Sequence, residues 1–378
     1  MKILTIAGTR PELIRLSVII RKLDEVCTQV LVYTNQNYDK NLSTIFLQDL
    51  RIRTPDYYFR QTEGIGEFLS NGFLEFDNIL TTEKPDKVLV LGDTNTVLLT
   101  ILASKRGIPI YHMEAGNRCY DGAVPEETNR RVIDSCALYN LPYTDNSKEN
   151  LIREGYSKNF VFKTGNPIYE VLSYYSNEIR MSTILDRLGL TESSSFVLLS
   201  FHRTENVDTK SVAANVVEAM NEIAEYQPVI FPFHPRTKDQ FKKHGLSFSD
   251  KVMCIDPIGF FDFVKLEQCA SIVFTDSGTV PEETALFERP CIILRNTTER
   301  QELMENGSLI LAGTNKEDIL QAYFSIDEMM QPWKSLDDYN KMNVSDTVIR
   351  ILMGQKVSIK RKGHDEYSIF QQRENCIR

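Results

Sequence analysis

Residues 2–23 read Lys2-Ile3-Leu4-Thr5-Ile6-Ala7-Gly8, then Thr9-Arg10-Pro11, then Glu12-Leu13-Ile14-Arg15-Leu16-Ser17-Val18-Ile19-Ile20-Arg21-Lys22-Leu23. The first run is almost continuously apolar and rich in β-branched residues, as in a strand buried on both faces of a parallel sheet. Pro11 suits the first turn of a helix, and the polar and apolar residues after it recur at helical spacing. One strand–turn–helix unit is therefore written into the start of the chain. The same rhythm returns at residues 30–34 (VLVYT), 87–93 (KVLVLGD), 108–114 (IPIYHME) and 161–165 (VFKTG). A second series occupies residues 196–202 (FVLLSFH), 229–234 (VIFPFH), 252–257 (VMCIDP), 272–278 (IVFTDSG) and 290–295 (PCIILR), with helical spacing over 211–225. Such alternation predicts an α/β protein with right-handed crossovers and two Rossmann-like, doubly wound parallel-sheet domains.

The two series are separated by residues 169–195, which carry a helix-like stretch and the turn-forming run TESSS. The domains are expected at 1–168 and 169–344, with a helical segment over 345–353 and a polar tail making up residues 345–378. At 378 residues the chain is long enough for two cores. Its 42% hydrophobic and 25% charged composition is that of a soluble globular protein. A net charge of −9 argues against nucleic acid as the main partner. No apolar stretch approaches the roughly 20 residues of a membrane span. The seven cysteines have no CxxC spacing, which points to reduced thiols and a cytoplasmic location rather than a disulfide or zinc framework.

Open parallel sheets bind ligands outside the carboxyl ends of their strands. Thr9 and Arg10, Asp93, His112 with Glu114, His202, His234 and residues 276–279 all follow apolar runs here. They predict a cleft between the domains. An ordinary capped helix accounts for residues 8–12 except Arg10, a cation at a helix N-terminus that calls for an anion. No GxGxxG follows the strand, so no dinucleotide fingerprint is present. Ser277, Gly278 and Thr279 precede a second helix start and suit a diphosphate, while Glu283 could accept both hydroxyls of a ribose. Glu282 is expected to close a capping box. Glu114 and Glu126 could face one another as an acid–base pair. Glu127 with Arg130 or Arg131 reads as a surface ion pair. His202 and His234, each followed closely by arginine, are raised above the usual structural histidine; His244 and His364 read as surface. No spacing supports a metal site.

Seven motifs occur in order across residues 1–312: GTRPE, LGDTNT, HMEAG followed by PEETNR, FHRTEN, FHPRT, TDSGTVPEE and RNTTERQE. The ordered set resembles the non-hydrolysing UDP-N-acetylglucosamine 2-epimerase family, and so implies the glycosyltransferase-B arrangement, with two Rossmann-like domains facing a cleft. It implies an isomerase without NAD or metal, acting on a UDP-sugar and usually as a homodimer. It implies that Asp93, Glu114, Glu126 and His202 form the catalytic group, and that Arg10 contacts phosphate. Ser277 and Gly278 would hold the diphosphate and Glu283 the ribose; Arg130, His234 and Thr279 complete the expected substrate contacts.

Two segments depart from the family pattern. Residues 35–40 (NQNYDK) replace a Gln-His-Arg-like segment used for activator and substrate contacts, and residues 116–121 (GNRCYD) replace Gly-Leu-Arg. With ENVD at 205–208 and NVSD at 343–346, they look like the UDP-N-acetyl-L-fucosamine synthase branch, which epimerises 6-deoxy-L-sugars for cell-surface polysaccharide. UDP-N-acetylglucosamine 2-epimerisation to UDP-N-acetylmannosamine is the alternative. A UDP-sugar sensor without turnover and a glycosyltransferase are the rivals; loss of a catalytic carboxylate would mark the first and an acceptor groove the second.

Overall fold

The computed structural model of the chain describes residues 1–36, 46–62, 64–329 and 333–354. His364, Cys376, residues 37–40 of the departing segment and the polar tail from 355 onward lie outside the described residues.

Twelve described strands form two six-stranded sheets. The first contains β1 (Lys2–Ala7), β2 (Thr28–Tyr33), β3 (Tyr57–Tyr58), β4 (Lys87–Leu91), β5 (Ile110–Met113) and β6 (Tyr139–Leu141), in the order β3-β2-β1-β4-β5-β6. The second contains β7 (Val197–Ser200), β8 (Val229–Pro232), β9 (Val252–Ile255), β10 (Ile272–Thr275), β11 (Cys291–Ile293) and β12 (Leu309–Leu311), in the order β12-β11-β10-β7-β8-β9. Every strand pairing is parallel. Read from β9, the second sheet repeats the strand order of the first. Both are doubly wound Rossmann-like α/β sheets, as the strand–helix alternation predicts.

Alternating residues of each strand go to opposite faces. In the second sheet Val197, Leu199, Phe231 and Phe274 join the core beneath helices Lys210–Ile223 and Lys316–Met329. Leu198, Ile230 and Val273 join the opposite core with Ile184, Leu185 and Leu266. That double burial is why these runs carry no polar alternation. The edge strand β9 departs from the pattern: Met253 and Cys254 are exposed there. In the first sheet Leu4, Ile6, Val30, Val32, Val88 and Val90 pack with Phe76, Ile79 and Leu80 of helix Ile65–Glu83.

The chain divides into one compact unit of Met1–Val171 with Asp338–Arg378 and a second of Leu172–Asp337. The described residues after Asp338 thus return to the first unit, where helix Val344–Met353 packs on helix Arg10–Val26. Lys22 Nζ donates to Ser345 Oγ and Asp346 Oδ1, each at 2.7 Å. The buried Lys87 ammonium donates to the carbonyls of Leu352 (2.5 Å) and Gly354 (3.1 Å), the negative end of that helix.

Residues 161–165 do not form a strand; only Val161 bridges to Asn140. The short strands β3, β6 and β12 have no counterpart in the sequence reading. Among the described residues no helix is long and apolar enough to cross a membrane, and six cysteines are free thiols.

Candidate active site

In the first unit, β1 and β4 are the central neighbours from which the sheet is wound both ways, the position where such sheets bind ligands. A Cβ on Gly8 would lie 2.0 Å from Thr96 Oγ1 and 2.6 Å from Thr34 Oγ1, so only glycine lets the turns after β1, β2 and β4 close together. The two threonine hydroxyls hydrogen-bond at 2.7 Å. Thr9 precedes helix Arg10–Val26 but makes no side-chain cap. Glu12 turns back instead: Gly8 N–H donates to its Oε2 at 2.6 Å and the Thr9 hydroxyl to its Oε1 at 3.1 Å. Glu12 is 3% exposed. Burial pushes its carboxyl up to about 7, against the hydrogen bonds from Gly8 and Thr9 and with the charge of Asp93.

Gly92 brings a second carboxylate close. A Cβ built there would be 3.6 Å from Glu114 Oε2 and 3.8 Å from Glu12 Cγ. Glu114 follows β5 at φ 66°, a left-handed conformation costly for a non-glycine residue and found where function holds the backbone. Asn117 Nδ2 donates to Glu114 Oε1 at 3.1 Å. Asp93 accepts from Arg130 Nε at 2.7 Å, and its carbonyl accepts from Asn129 Nδ2 at 2.8 Å. Glu12, Asp93 and Glu114 thus gather around the turn after β4, with Arg130 against Asp93.

Arg130 also donates to Glu127 Oε2 at 3.0 Å. Glu127 does form the expected pairs with Arg130 and Arg131, but it is 5% exposed rather than on the surface. The loop after Glu114 covers it, and Cys119 N–H donates to the same oxygen at 3.1 Å. Burial opposes its charge, yet Cys119 and Arg130 prevail and hold the carboxyl below its usual range. Glu126 is half-buried in the first turn of helix Pro125–Cys136. Arg10 opens its helix half-buried, 5.8 Å from the Phe46 ring centre. Arg15, one turn further along and 3% exposed, received no role from the sequence. His112 bridges Asp134 (2.8 Å) and the Gly92 carbonyl (2.9 Å), fixing the turn from within. A pocket near these strand ends is lined by Thr34, Asn35, Gln36, Arg60, Gln61 and Asn95, among others.

In the second unit the corresponding central neighbours are β7 and β10. Asp276, fully buried after β10, accepts from the backbone of His202 (3.1 Å) and Arg203 (2.8 Å) and from Asn206 Nδ2 (3.2 Å). It fastens the turn after β7 and leaves the His202 ring 54% exposed, with Nδ1 3.5 Å from Asp276 Oδ1. Ser277 N–H donates to Thr275 Oγ1, and Thr279 N–H to Ser277 Oγ. A Cβ on Gly278 would meet Glu299 Oε1 at 2.4 Å. Glu299 pairs with Arg295 at 3.1 Å, both nearly buried. That pair abuts the expected diphosphate loop, and the sequence quoted it inside RNTTERQE without giving it a role. His234 is an N-cap: its Nδ1 accepts from Arg236 N–H at 3.3 Å. His244, read as surface, is partly buried and its Nε2 lies 3.2 Å from the Val207 carbonyl.

Glu282 does not close a capping box. It is fully buried and paired with the buried Arg300 at 2.5 Å, while Thr279 makes no side-chain cap. The adjacent Glu283 is 5% exposed and touches the carboxyl of Glu267, which is completely buried. Among the described residues no group of three His, Cys, Asp or Glu side chains could hold a metal ion.

A family described as UDP-N-acetylglucosamine 2-epimerase matches residues 21–353. The chain belongs to this non-hydrolysing 2-epimerase family, and it is an isomerase of that type. It is 37% identical over 370 residues to the UDP-N-acetylglucosamine 2-epimerase of Methanocaldococcus jannaschii, covering 93% of this chain and 99% of that one. It is 35% identical over 329 residues to the UDP-2,3-diacetamido-2,3-dideoxy-D-glucuronate 2-epimerase of Pseudomonas aeruginosa, covering 85% and 91%. A crystal structure of the M. jannaschii enzyme in complex with UDP-GlcNAc and UDP superposes with a TM-score of 0.87, covering 93% of this chain and 99% of that one at 37% identity.

Proposed function

We propose that the chain inverts C2 of a UDP-2-acetamido sugar by eliminating and re-adding UDP. The acid cluster around Gly92 carries this reading. C2–H has no neighbouring carbonyl to acidify it. Departure of UDP from C1 builds positive charge there and makes C2–H acidic. Loss of that proton gives a 2-acetamidoglucal, and protonation from the other face with return of UDP gives the epimer. A base and an acid are needed at C2, and Asp93, Glu114 and Glu126 are assigned to them. Arg130 holds Asp93. Arg10, Ser277, Gly278 and Thr279 stabilise the leaving diphosphate, Glu283 takes the ribose hydroxyls, and His234 contributes a further substrate contact. His202 either protonates the intermediate or contacts the phosphate. No step calls for NAD or a metal.

The relatives named above support UDP-N-acetylglucosamine as substrate, with UDP-N-acetylmannosamine as product, at least as well as a 6-deoxy-L-sugar. The second reading draws on the Gly116–Asp121 loop. There Asn117 bonds Glu114, and Arg118 is buried against Asp134 and Glu154. The enzyme is proposed to act in the cytoplasm as a homodimer supplying polysaccharide synthesis, with light scattering expected to give twice the chain mass. NMR in D2O with UDP-N-acetylglucosamine, and separately with a UDP-2-acetamido-2,6-dideoxy-L-hexose, tests the chemistry. Deuterium entering C2 together with a second epimer is expected, and the faster substrate names the branch. Tight binding without exchange in either tube would sink the epimerase reading for these sugars and favour a sensor or a transferase.

A further inference from the structure

Two carboxyl side chains meet in the interior of the second unit. Glu267 lies in the last turn of helix Phe260–Cys269 and Glu283 in the first turn of helix Val280–Leu286, which packs against it. Glu267 is 0% exposed and Glu283 is 5% exposed. Neither oxygen of Glu267 accepts a hydrogen bond from an N–H or a hydroxyl among the described residues, and its charged neighbour is the Glu283 carboxyl. Two ionised carboxylates offer only acceptors to each other, so this contact is attractive only with a proton between them. Burial and the Glu283 charge both push the Glu267 carboxyl well above the usual range. Nearby, the Cys291 thiol is buried and pushed up to about 12, so it adds no charge to the cluster at neutral pH.

Helix position decides which carboxyl keeps the proton. Glu283 sits at the positive end of its helix, where an anion is favoured. Glu267 sits at the negative end of its own, where an anion is disfavoured. We propose that Glu267 is a neutral carboxylic acid whose O–H donates to the Glu283 carboxylate and fixes its orientation toward a nucleoside ribose. Glu267 is thus a positioning residue for ribose recognition. It leaves Glu283 ionised, with its remaining lone pairs directed at the ribose. The proposal rests on the assignment of Glu283 to the ribose.

Calorimetric titration of the full chain with UDP and with 2′,3′-dideoxyuridine diphosphate tests it, in the wild type, Glu267→Gln, Glu267→Met and Glu283→Ala. Hydrogen bonds to a charged acceptor predict a wild-type preference for UDP of at least about tenfold. Glu267→Gln keeps a donor and should keep the preference. Glu267→Met fills the space without a donor and should lose most of it, with dideoxy-UDP affinity unchanged as the sign of an intact fold. A wild-type preference surviving in Glu267→Met but lost in Glu283→Ala overturns the positioning role and leaves the ribose assignment standing. A preference surviving in Glu283→Ala, or absent from the wild type, removes the ribose assignment and the proposal with it. Infrared difference spectra of wild type and Glu267→Gln give a readout independent of ligand. A protonated-carboxyl C=O band at neutral pH that vanishes in the variant is expected, and its absence from the wild type refutes the neutral acid.

Discussion

Glu12→Gln isolates one buried proton. In the folded chain the Glu12 carboxyl is raised from 4.5 to about 7, mainly by burial, while in the unfolded chain it returns to its ordinary value. Between those two values the folded state holds a proton that the unfolded state has released. The stability tied to this proton is therefore fully present below 4.5 and is lost as pH rises through about 7. A shift of that size is worth about 3 kcal/mol, of which about 2.5 kcal/mol falls between about pH 5 and about pH 8. The variant's side-chain amide would be neutral throughout, with the same shape and an oxygen for the Gly8 N–H. Urea unfolding at the two pH values, followed by far-UV circular dichroism and by hydrogen exchange of the β1 amides, gives the comparison. The wild type should lose about 2–3 kcal/mol more than the variant over this interval. The double difference cancels every titration the two proteins share. Parallel losses in both proteins would refute a buried carboxyl that changes charge near neutrality.

Asp93→Asn and Glu114→Gln should each retain UDP binding by calorimetry and lose turnover in the C2 exchange assay; near-normal turnover in both removes them from the chemistry. Gly116→Ala should cost more than about 2 kcal/mol in chemical denaturation, because the residue stands at φ 81° and an added Cβ would lie 2.1 Å from the Ser147 carbonyl. Arg300→Met strands the fully buried Glu282 and should cost about 3–5 kcal/mol, most of it recovered in the double variant with Glu282→Leu. The single tryptophan, Trp333, donates to the Ala285 carbonyl within the same unit, so its fluorescence follows that loss. Equal cost in the single and double variants would contradict a buried pair.

The sheets were legible because their strands are buried on both faces, so apolar runs such as 196–201 and 272–275 needed no periodicity to be seen. The strands that escaped are Tyr57–Tyr58, Tyr139–Leu141 and Leu309–Leu311, too short to show any run. Residues 161–165 carry the right letters for a strand, but only Val161 makes a bridge in the structure. The departing segment at 37–40 and the tail from 355 onward lie outside what the structure describes, so their part in the enzyme rests on sequence alone.

The side chains follow a different rule, set by where the partner of each charge lies. Glu127 pairs with Arg130 and Arg131 on its own helix, so the pairing was readable and only its depth was not. Glu282 needs Arg300 from beyond β11, and Glu12 becomes buried where the turn after β4 closes on it. Glu267 meets a second carboxyl across a helix packing that only the folded sheet creates. The local sequence places Glu12 in a capped helix start and Glu282 in a capping box, and gives Glu267 no role. A buried acid costs several kcal/mol unless it is paired, bonded or protonated, and Glu282, Glu12 and Glu267 take one solution each. Glu282 is paired with a guanidinium, Glu12 is bonded by Gly8 and Thr9 near its titration point, and Glu267 shares a proton with Glu283. These acids therefore meet the cost of burial differently even though their sequence settings look alike.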